Sequence, residues 1–397
     1  MDSDSIMNAA LHAAEDREFQ FPPLDSRKKQ IRLLQIQPSS DSQRPIRMKM
    51  KIVHLGGYYD ADARRFVGCW EPSGLQTDTA TESIRGQDST DRTLASFTAL
   101  SYIWGAPTPF TIQVEHEGHI GYLSIRGNLH QYLALRRDAE ACSSWFWIDQ
   151  ISIDQTDLSE RGHQVGMMAE IYSSANESEI WLGLPFEGSD EAMGFICKTG
   201  EDFAWTEANF HAHYPALIEL LHNVYWTRVW IVQEVLLSRE PVVRVGSKTA
   251  TWNHHFKPAF IGLLPRLRTL KEAQNIDIPM LTLLLRFPVR HITWAEAVGL
   301  AEGRGCTDRR DSIFGLLGLV APWVQIYPDY SKPVAEVLLN ILRKEAQFSG
   351  VLPQQLFAGT TFEGMTQRWC RVLLIGGIHD QNDDLDLKMI RRFLFLE

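Results

Sequence analysis

The chain has 397 residues, 44% hydrophobic and 22% charged, which supplies a large core and excludes a mainly disordered polypeptide. Thirty-nine basic against forty-nine acidic side chains give a formal charge of -10, a balance that disfavours general binding to nucleic acid or to anionic membrane surfaces. The five cysteines are odd in number and widely spaced, so they suggest neither a disulfide framework nor a CxxC zinc pair and read as reduced thiols.

At the N-terminus, MDSDSIMNAALHAAEDREFQFPP starts acidic and lacks the unbroken apolar core of an export signal. The apolar stretch MLTLLLRF (280–287) is too short to span a bilayer and meets an arginine. A cytoplasmic protein with no membrane span is expected. The apolar run in REFQFPPLDSRKKQIRLLQIQPSS (17–40) is closed by Pro38 and two serines, and the alternating IRMKMKIVHL (46–55) fits as its hairpin partner. These strands predict an antiparallel preface over residues 1–60. A polar loop over 61–96 follows, in which EPSGLQTDTATESIRGQDSTDRT (71–93) is rich in Ser and Thr.

FTALSYIWG (97–105) reads as a buried strand ending at Gly105, where glycine permits a sharp turn. FTIQVEHEGHIGYLSI (110–125) alternates around a central glycine, as a hairpin does. Asn128 is placed to cap LHQYLALRR (129–137), whose Leu129, Tyr132, Leu133 and Leu135 make a short amphipathic face. WFWIDQISI (145–153) is predicted as a strand that turns irregular near Asp149, and Asp157 with Glu160 has the form of a capping box. Gln164, Met168, Ile171, Tyr172 and Ala175 then recur at helical spacing with Val165 beside them, while His163 falls off that stripe and is expected to be solvated. SEIWLG (178–183) is the next strand. Strand, helix and strand at this spacing predict a right-handed parallel crossover, the unit of an open α/β sheet, and an α/β domain over residues 97–250.

Beyond residue 185 the pattern turns helical in GSDEAMGFICKTGEDFAWTEANF (188–210) and PALIELLHNVYWTRVWIVQEVLLS (215–238), with a short strand at EPVVRVGS (240–247). Residues 251–397 are expected to be mainly helical, with SIFGLLGLV (312–320) among the helix candidates and RWCRVLLIGGIHDQNDD (368–384) as a strand and turn.

TALSYIWG (98–105), WFWIDQISIDQTDLSERGHQVGMMAEIYSSANESEIWLG (145–183) and YWTRVWIVQEV (225–235) resemble the signature blocks of the fungal heterokaryon incompatibility (HET) domain. PPLDSRKKQIRLLQI (22–36), GCTDRRDSIFGLLGL (305–319) and YPDYSKPVAEV (327–337) resemble the segments that flank those blocks, which extends the resemblance over residues 20–340. It implies a flavodoxin-like, distantly TIR-like open parallel sheet. It also implies a role in self/non-self recognition, innate immunity and programmed cell death, exerted through self-association or a protein partner. The motif residues carry over onto Ser101, Tyr102, Trp104 and Gly105, onto Trp147, Asp149, Gln155, Glu160, Arg161 and Gln164, and onto Trp226, Arg228, Trp230, Gln233 and Glu234. In one departure, SIDQ (152–155) stands where the family usually has Cys-Ile-Asn-Gln, so Ser152 replaces the cysteine and Asp154 the asparagine. A mechanism that needs the cysteine is lost by that change, whereas a structural turn survives it.

Each motif residue also has a reading from its own chemistry. Asp149 ends a strand, where α/β domains place ligand-binding groups, but a carboxylate there also accepts the amides of the next loop, which is the commoner arrangement. Asp154 and Asp157 shape a turn and a helix start more readily than they bind a cation. Arg228 and Glu234 lie six residues apart in a helix-like segment, on different faces, so each is expected to pair elsewhere, Arg228 with Asp149 for example. The twelve tryptophans pack a core more often than they line a ligand site.

Two functions compete. The first is a signalling or effector module without catalysis. The second, shared by some TIR-like domains, is a NAD glycohydrolase releasing nicotinamide and ADP-ribose, which needs a carboxylate beside the developing oxocarbenium ion. Glu160 and Glu234 are the candidate catalytic carboxylates, and Tyr102, Trp104, Asp149, Arg228 and Trp230 the candidate NAD-binding residues. HAH (211–213) and NHH (253–255) lack a third zinc ligand at recognisable spacing, and the phosphate-loop and dinucleotide glycine patterns are missing, so neither a metal nor a resident cofactor is expected. RKK (27–29) and RLRTLK (266–271) read as solvated faces and predict no nucleic-acid partner.

Overall fold

The structure, a computed structural model, describes residues 18–39, 41, 44–60, 65–70, 96–137, 144–198, 206–267, 284, 291–349 and 362–374. The polar loop of 71–93 and the stretches 268–283 and 375–397 therefore lie outside the described residues. The chain divides into two compact units, the first Met1–Leu100, Trp104–Asp154 and Ser173–Glu179, the second Ser101–Ile103, Gln155–Tyr172 and Ile180–Glu397.

In the first unit, β1 (Gln30–Ile36) and β2 (Arg47–Asp60) form the expected antiparallel hairpin, with Gln30 opposite His54 and Ile36 opposite Met48. The hairpin is not a detached preface, because β1 also pairs antiparallel with β7 (Trp145–Trp147) and β2 pairs with both β3 (Arg65–Trp70) and β5 (Pro109–His116). β4 (Phe97–Tyr102) runs parallel to β7. β5 and β6 (His119–Arg126) form the second expected hairpin around Gly118, whose φ of 81° suits glycine. The strand order in this unit is β8-β4-β7-β1-β2-β5-β6, where β8 is Glu177–Trp181. The sheet is thus mixed, with parallel β4–β7 and β2–β5 pairs among antiparallel ones, where an open parallel sheet was expected. A helix lies between β7 and β8 in the chain, as expected, and β4 stands between these two strands in the sheet order.

Local chemistry corrects two elements of this unit. The helix α1 (Gly127–Arg137) starts one residue before Asn128, which therefore stands in its first turn and not at its cap; Leu129, Tyr132 and Leu133 are buried as predicted. The predicted strand 145–153 ends at Trp147, because Asp149–Ser152 wind into a single helical turn, α2. The Ile148 carbonyl accepts the amides of Ile151 and Ser152, and the Ser152 hydroxyl accepts the Ile148 amide at 3.0 Å. The serine that replaces the usual cysteine thus closes a turn. Arg32, fully buried in β1, donates to the Ser152 carbonyl at 3.1 Å and to the Pro22 carbonyl at 3.0 Å, satisfying a charge that would be costly to bury alone.

In the second unit, α3 (Leu158–Ser174) buries Gln164, Val165, Met168, Ile171 and Tyr172 on the predicted stripe. Asp157 caps it by accepting the amides of Ser159 and Glu160 at 2.9 and 3.1 Å. His163 departs from expectation, since its Nε2 is buried with no hydrogen-bond partner and burial lowers its pKa. After β8 come α4 (Ser189–Ile196) and α5 (Glu207–His222), and then the predicted helix 215–238 breaks. A 3-10 turn, Val224–Thr227, is followed by extended Arg228 (φ -80°, ψ 143°) and by α6 (Ile231–Leu236). The cause is tertiary: Thr227–Val229 bonds to Gly305, with Gly305 N donating to Thr227 O at 2.7 Å and Val229 N to Gly305 O at 3.2 Å. β9 (Pro241–Val245), the strand predicted in 240–247, pairs antiparallel with β10 (Lys248–Thr251).

The rest of the unit is helical as expected, with α7 (Lys257–Leu267), α8 (Trp294–Ala301), α9 (Asp311–Phe314), α10 (Val334–Ser349) and α11 (Phe362–Val372). The helix expected over 312–320 is confined to α9 and the turns after it. The strand expected to start at Arg368 is the end of α11, whose Met365 and Trp369, with Leu373 in the turn just after it, are buried at four-residue intervals. Tryptophans pack this unit: Trp226, Trp252 and Phe256 cluster at 5.2–6.0 Å between ring centres, and Trp294 meets Trp369 edge to face at 5.9 Å.

Candidate functional site

The motif residues of the second unit gather where the end of β4 meets α6. The hydroxyl of Ser101 donates to the Glu234 carboxylate and lies 2.6 Å from the hydroxyl of Tyr225. All three residues are buried, Glu234 at 3% exposure and Tyr225 at 0%. Burial raises the Tyr225 pKa, the neighbouring Glu234 charge raises it further, and the Ser101 hydrogen bond and Arg228 pull only partly against them. Tyr225 therefore stays a neutral phenol at any physiological pH. The extended backbone at Arg228 sends its guanidinium to the carbonyl of Tyr102, the last residue of β4. Three of the predicted site residues, Tyr102, Arg228 and Glu234, are thus brought together.

A second cluster lies in the same unit. The Arg161 guanidinium sits 3.7 Å over the Tyr330 ring and 3.9 Å from the carboxylates of both Asp308 and Asp311. Asp308 binds Arg310 through paired contacts of 2.9 and 2.7 Å. Buried Asp311 accepts the Tyr330 hydroxyl at 2.7 Å and a hydrogen bond from the Trp230 side chain. Burial raises its carboxyl from 3.8 to about 6, Asp308 adds to the rise, and Tyr330, Arg161 and Trp230 oppose it. For Asp308, burial also works upward, but the hydrogen bonds from Arg310 outweigh it and the net shift is down. Predicted residue Trp230 belongs to this cluster. Predicted Glu160 is half-buried in the first turn of α3, one turn before His163.

Trp104 and Asp149 belong to the first unit. The Trp104 indole donates to Asp149 at 2.7 Å, Asp149 also accepts the Gln150 amide at 2.7 Å, and the Arg126 guanidinium lies 5.1 Å over the Trp104 ring. Asp149 therefore does accept the amide of the following turn, as its simpler reading predicted.

Sequence reasoning assigned no site role to Ser101, Tyr225, Arg161, Asp308, Asp311 or Tyr330. A signal for three of them was present: the dense charges of DRRD (308–311) and the aromatic YPDY (327–330) need partners. Among the described residues, no group of three or more His, Cys, Asp or Glu side chains is placed to hold a metal ion. No helix among them is long and apolar enough to cross a membrane.

The sequence model of the family described as "Heterokaryon incompatibility protein (HET)" matches residues 97–234. Over 322 residues the chain is 35% identical to "Heterokaryon incompatibility protein 6, OR allele" of Neurospora crassa, a match covering 62% of this chain and 47% of that protein. The chain spans about half the length of that curated relative. No solved structure matches it. The family match opens with β4 and closes on Glu234, the two ends that the Ser101–Glu234 hydrogen bond ties together. By these matches, the chain is similar to the heterokaryon incompatibility family, most closely over residues 97–234.

Proposed function

We propose that the chain is a cytoplasmic signalling or effector module of fungal vegetative incompatibility and programmed cell death, acting through self-association or a protein partner. The similarity to the heterokaryon incompatibility family carries the proposal. The use made of the motif side chains supports a module without catalysis: Glu234 is buried against Ser101, Arg228 donates to a backbone carbonyl, and Asp149 accepts from Trp104 and from its own turn. A carboxylate that stabilises an oxocarbenium ion has to reach the substrate, and Glu234 is 3% exposed. A distant TIR-like relation of the α/β core is part of the same proposal, and similarity of fold does not itself bring an activity.

The test sets induced expression of the full chain in a fungal host beside incubation of the purified chain with NAD. The expected result is loss of viability with no nicotinamide released in vitro and with NAD levels in the host preserved until death. Nicotinamide release that disappears in folded Glu160→Gln or Glu234→Gln overturns the reading in favour of a NAD glycohydrolase. Glutamine keeps an acceptor for Ser101, so Glu234→Gln is suited to retain the fold.

A further inference from the structure

The segment Tyr327–Lys332 crosses α3 as a strap. Pro328 lies against two glycines one helical turn apart: a Cβ at Gly162 would stand 2.6 Å from the Pro328 carbonyl oxygen, and one at Gly166 would stand 3.4 Å from its ring. Two anchors hold the strap beyond that contact. Arg310 donates to the carbonyls of Tyr330 and Lys332 while paired with Asp308. The Tyr330 side chain, stacked under Arg161, donates to Asp311.

The anchors differ in kind. Asp308 is half-buried and bonded to Arg310 through both carboxylate oxygens, which keeps it ionised. Asp311 is buried, its hydrogen-bond donors are a phenol and an indole, and the Arg161 guanidinium stops at 3.9 Å, beyond hydrogen-bonding reach. A carboxylate so placed is poorly compensated, and water reaching it when the strap lifts relieves it.

We propose that Asp311 makes this strap a proton-dependent latch, closed over α3 when its carboxyl is protonated and loosened when it ionises. The facing titratable and charged groups are Arg161 on α3, Asp308 and Arg310 on the preceding loop, Tyr330 on the strap and Cys306, whose thiol is pushed up chiefly by burial, with Asp311 adding to it. With Asp311 lifted from 3.8 to about 6, the closed form prefers the proton, so closure is strongest below the unfolded value and weakens as pH rises through about 6. The ratio of the two constants sets a ceiling of about a hundredfold on the change in opening.

Hydrogen exchange of the full chain, corrected for intrinsic rates and followed from pH 4 to 7.5 over residues 327–333 and the first half of α3, tests the latch. Opening is expected to increase by up to about a hundredfold and to level off above pH 6, while Asp311→Asn shows a flat profile. A flat wild-type profile overturns the proposal. So does a rise that persists in Asp311→Asn; His163, whose pKa burial lowers, would instead make opening fall as pH rises. If Asp311→Asn fails to fold, the carboxyl-carbon resonance of Asp311 in the wild type decides: a midpoint near 6 supports the latch, and one in the ordinary aspartate range overturns it.

Discussion

Replacing Gly162 and Gly166 with alanine, one at a time, separates helix preference from packing within a single helix. Glycine to alanine inside a helix gains about 0.5–1 kcal/mol, because alanine loses less backbone freedom on folding. At Gly166 the new methyl would meet the Pro328 ring at 3.4 and 3.7 Å, which is ordinary contact, so the gain should survive nearly intact. At Gly162 it would meet the Pro328 carbonyl oxygen at 2.6 Å. That atom cannot swing aside like the end of a side chain, since Arg310 fixes the carbonyls of Tyr330 and Lys332 just beyond it. Overpacking of this kind costs about 1–3 kcal/mol, which outweighs the helix gain and leaves a net loss of about 1–2 kcal/mol.

Thermal unfolding followed by far-ultraviolet circular dichroism reads both variants. One kcal/mol moves the midpoint by about 2–4 °C in a domain of 150–250 residues. Gly166→Ala should melt up to about 4 °C above the wild type and Gly162→Ala about 2–8 °C below it. Equal shifts of the same sign would refute the reasoning, because they would mean that Pro328 does not lie over Gly162.

Two further substitutions test the cap and the strap's fixed anchor. Asp157→Ala removes the acceptor for the Ser159 and Glu160 amides and should cost about 1 kcal/mol by urea unfolding, with Asp157→Ser restoring most of it; equal losses in both would assign the effect to something other than capping. Arg310→Lys keeps the charge but loses the fork that spans both Asp308 oxygens and two strap carbonyls. It should cost about 1.5–3 kcal/mol and raise hydrogen exchange in 327–333, and an unchanged midpoint would mean that those bonds carry no net stability.

The elements that could be read from the sequence are those whose cause is local. Both hairpins announce themselves by alternation and a turn, and α3 by its cap and its stripe from Gln164 to Tyr172. The errors fall where a distant partner decides. Nothing near Arg228 signals that Gly305 will pull Thr227–Val229 out of the helical path. The early end of β7 is an exception with a local cause, since the Ser152 hydroxyl turns back onto the Ile148 amide four residues before it. At α11 the stripe of Met365, Trp369 and Leu373 spans the boundary at which a strand was expected to begin, so only its apolar end was read. The candidate site follows the same rule. Tyr102, Arg228 and Glu234 carry a site role in the sequence reading, whereas Ser101 and Tyr225 fall in the motif blocks without one and gain theirs only from the distance between them.

The distribution of partners also bears on how far the working module extends. The family match stops at Glu234, yet several of its inward residues are completed from beyond that point. Arg161 takes Asp308, Asp311 and Tyr330, and Trp230 takes Asp311. Gly318 packs so closely that a Cβ there would meet Ala169 and Leu237 at 2.6 Å. A buried aspartate whose donors come from a family motif and from the strap cannot be satisfied by either alone. The segments after Glu234 that resembled the family's flanks therefore finish the same core, and residues 305–332 belong to the physical unit that the family match begins.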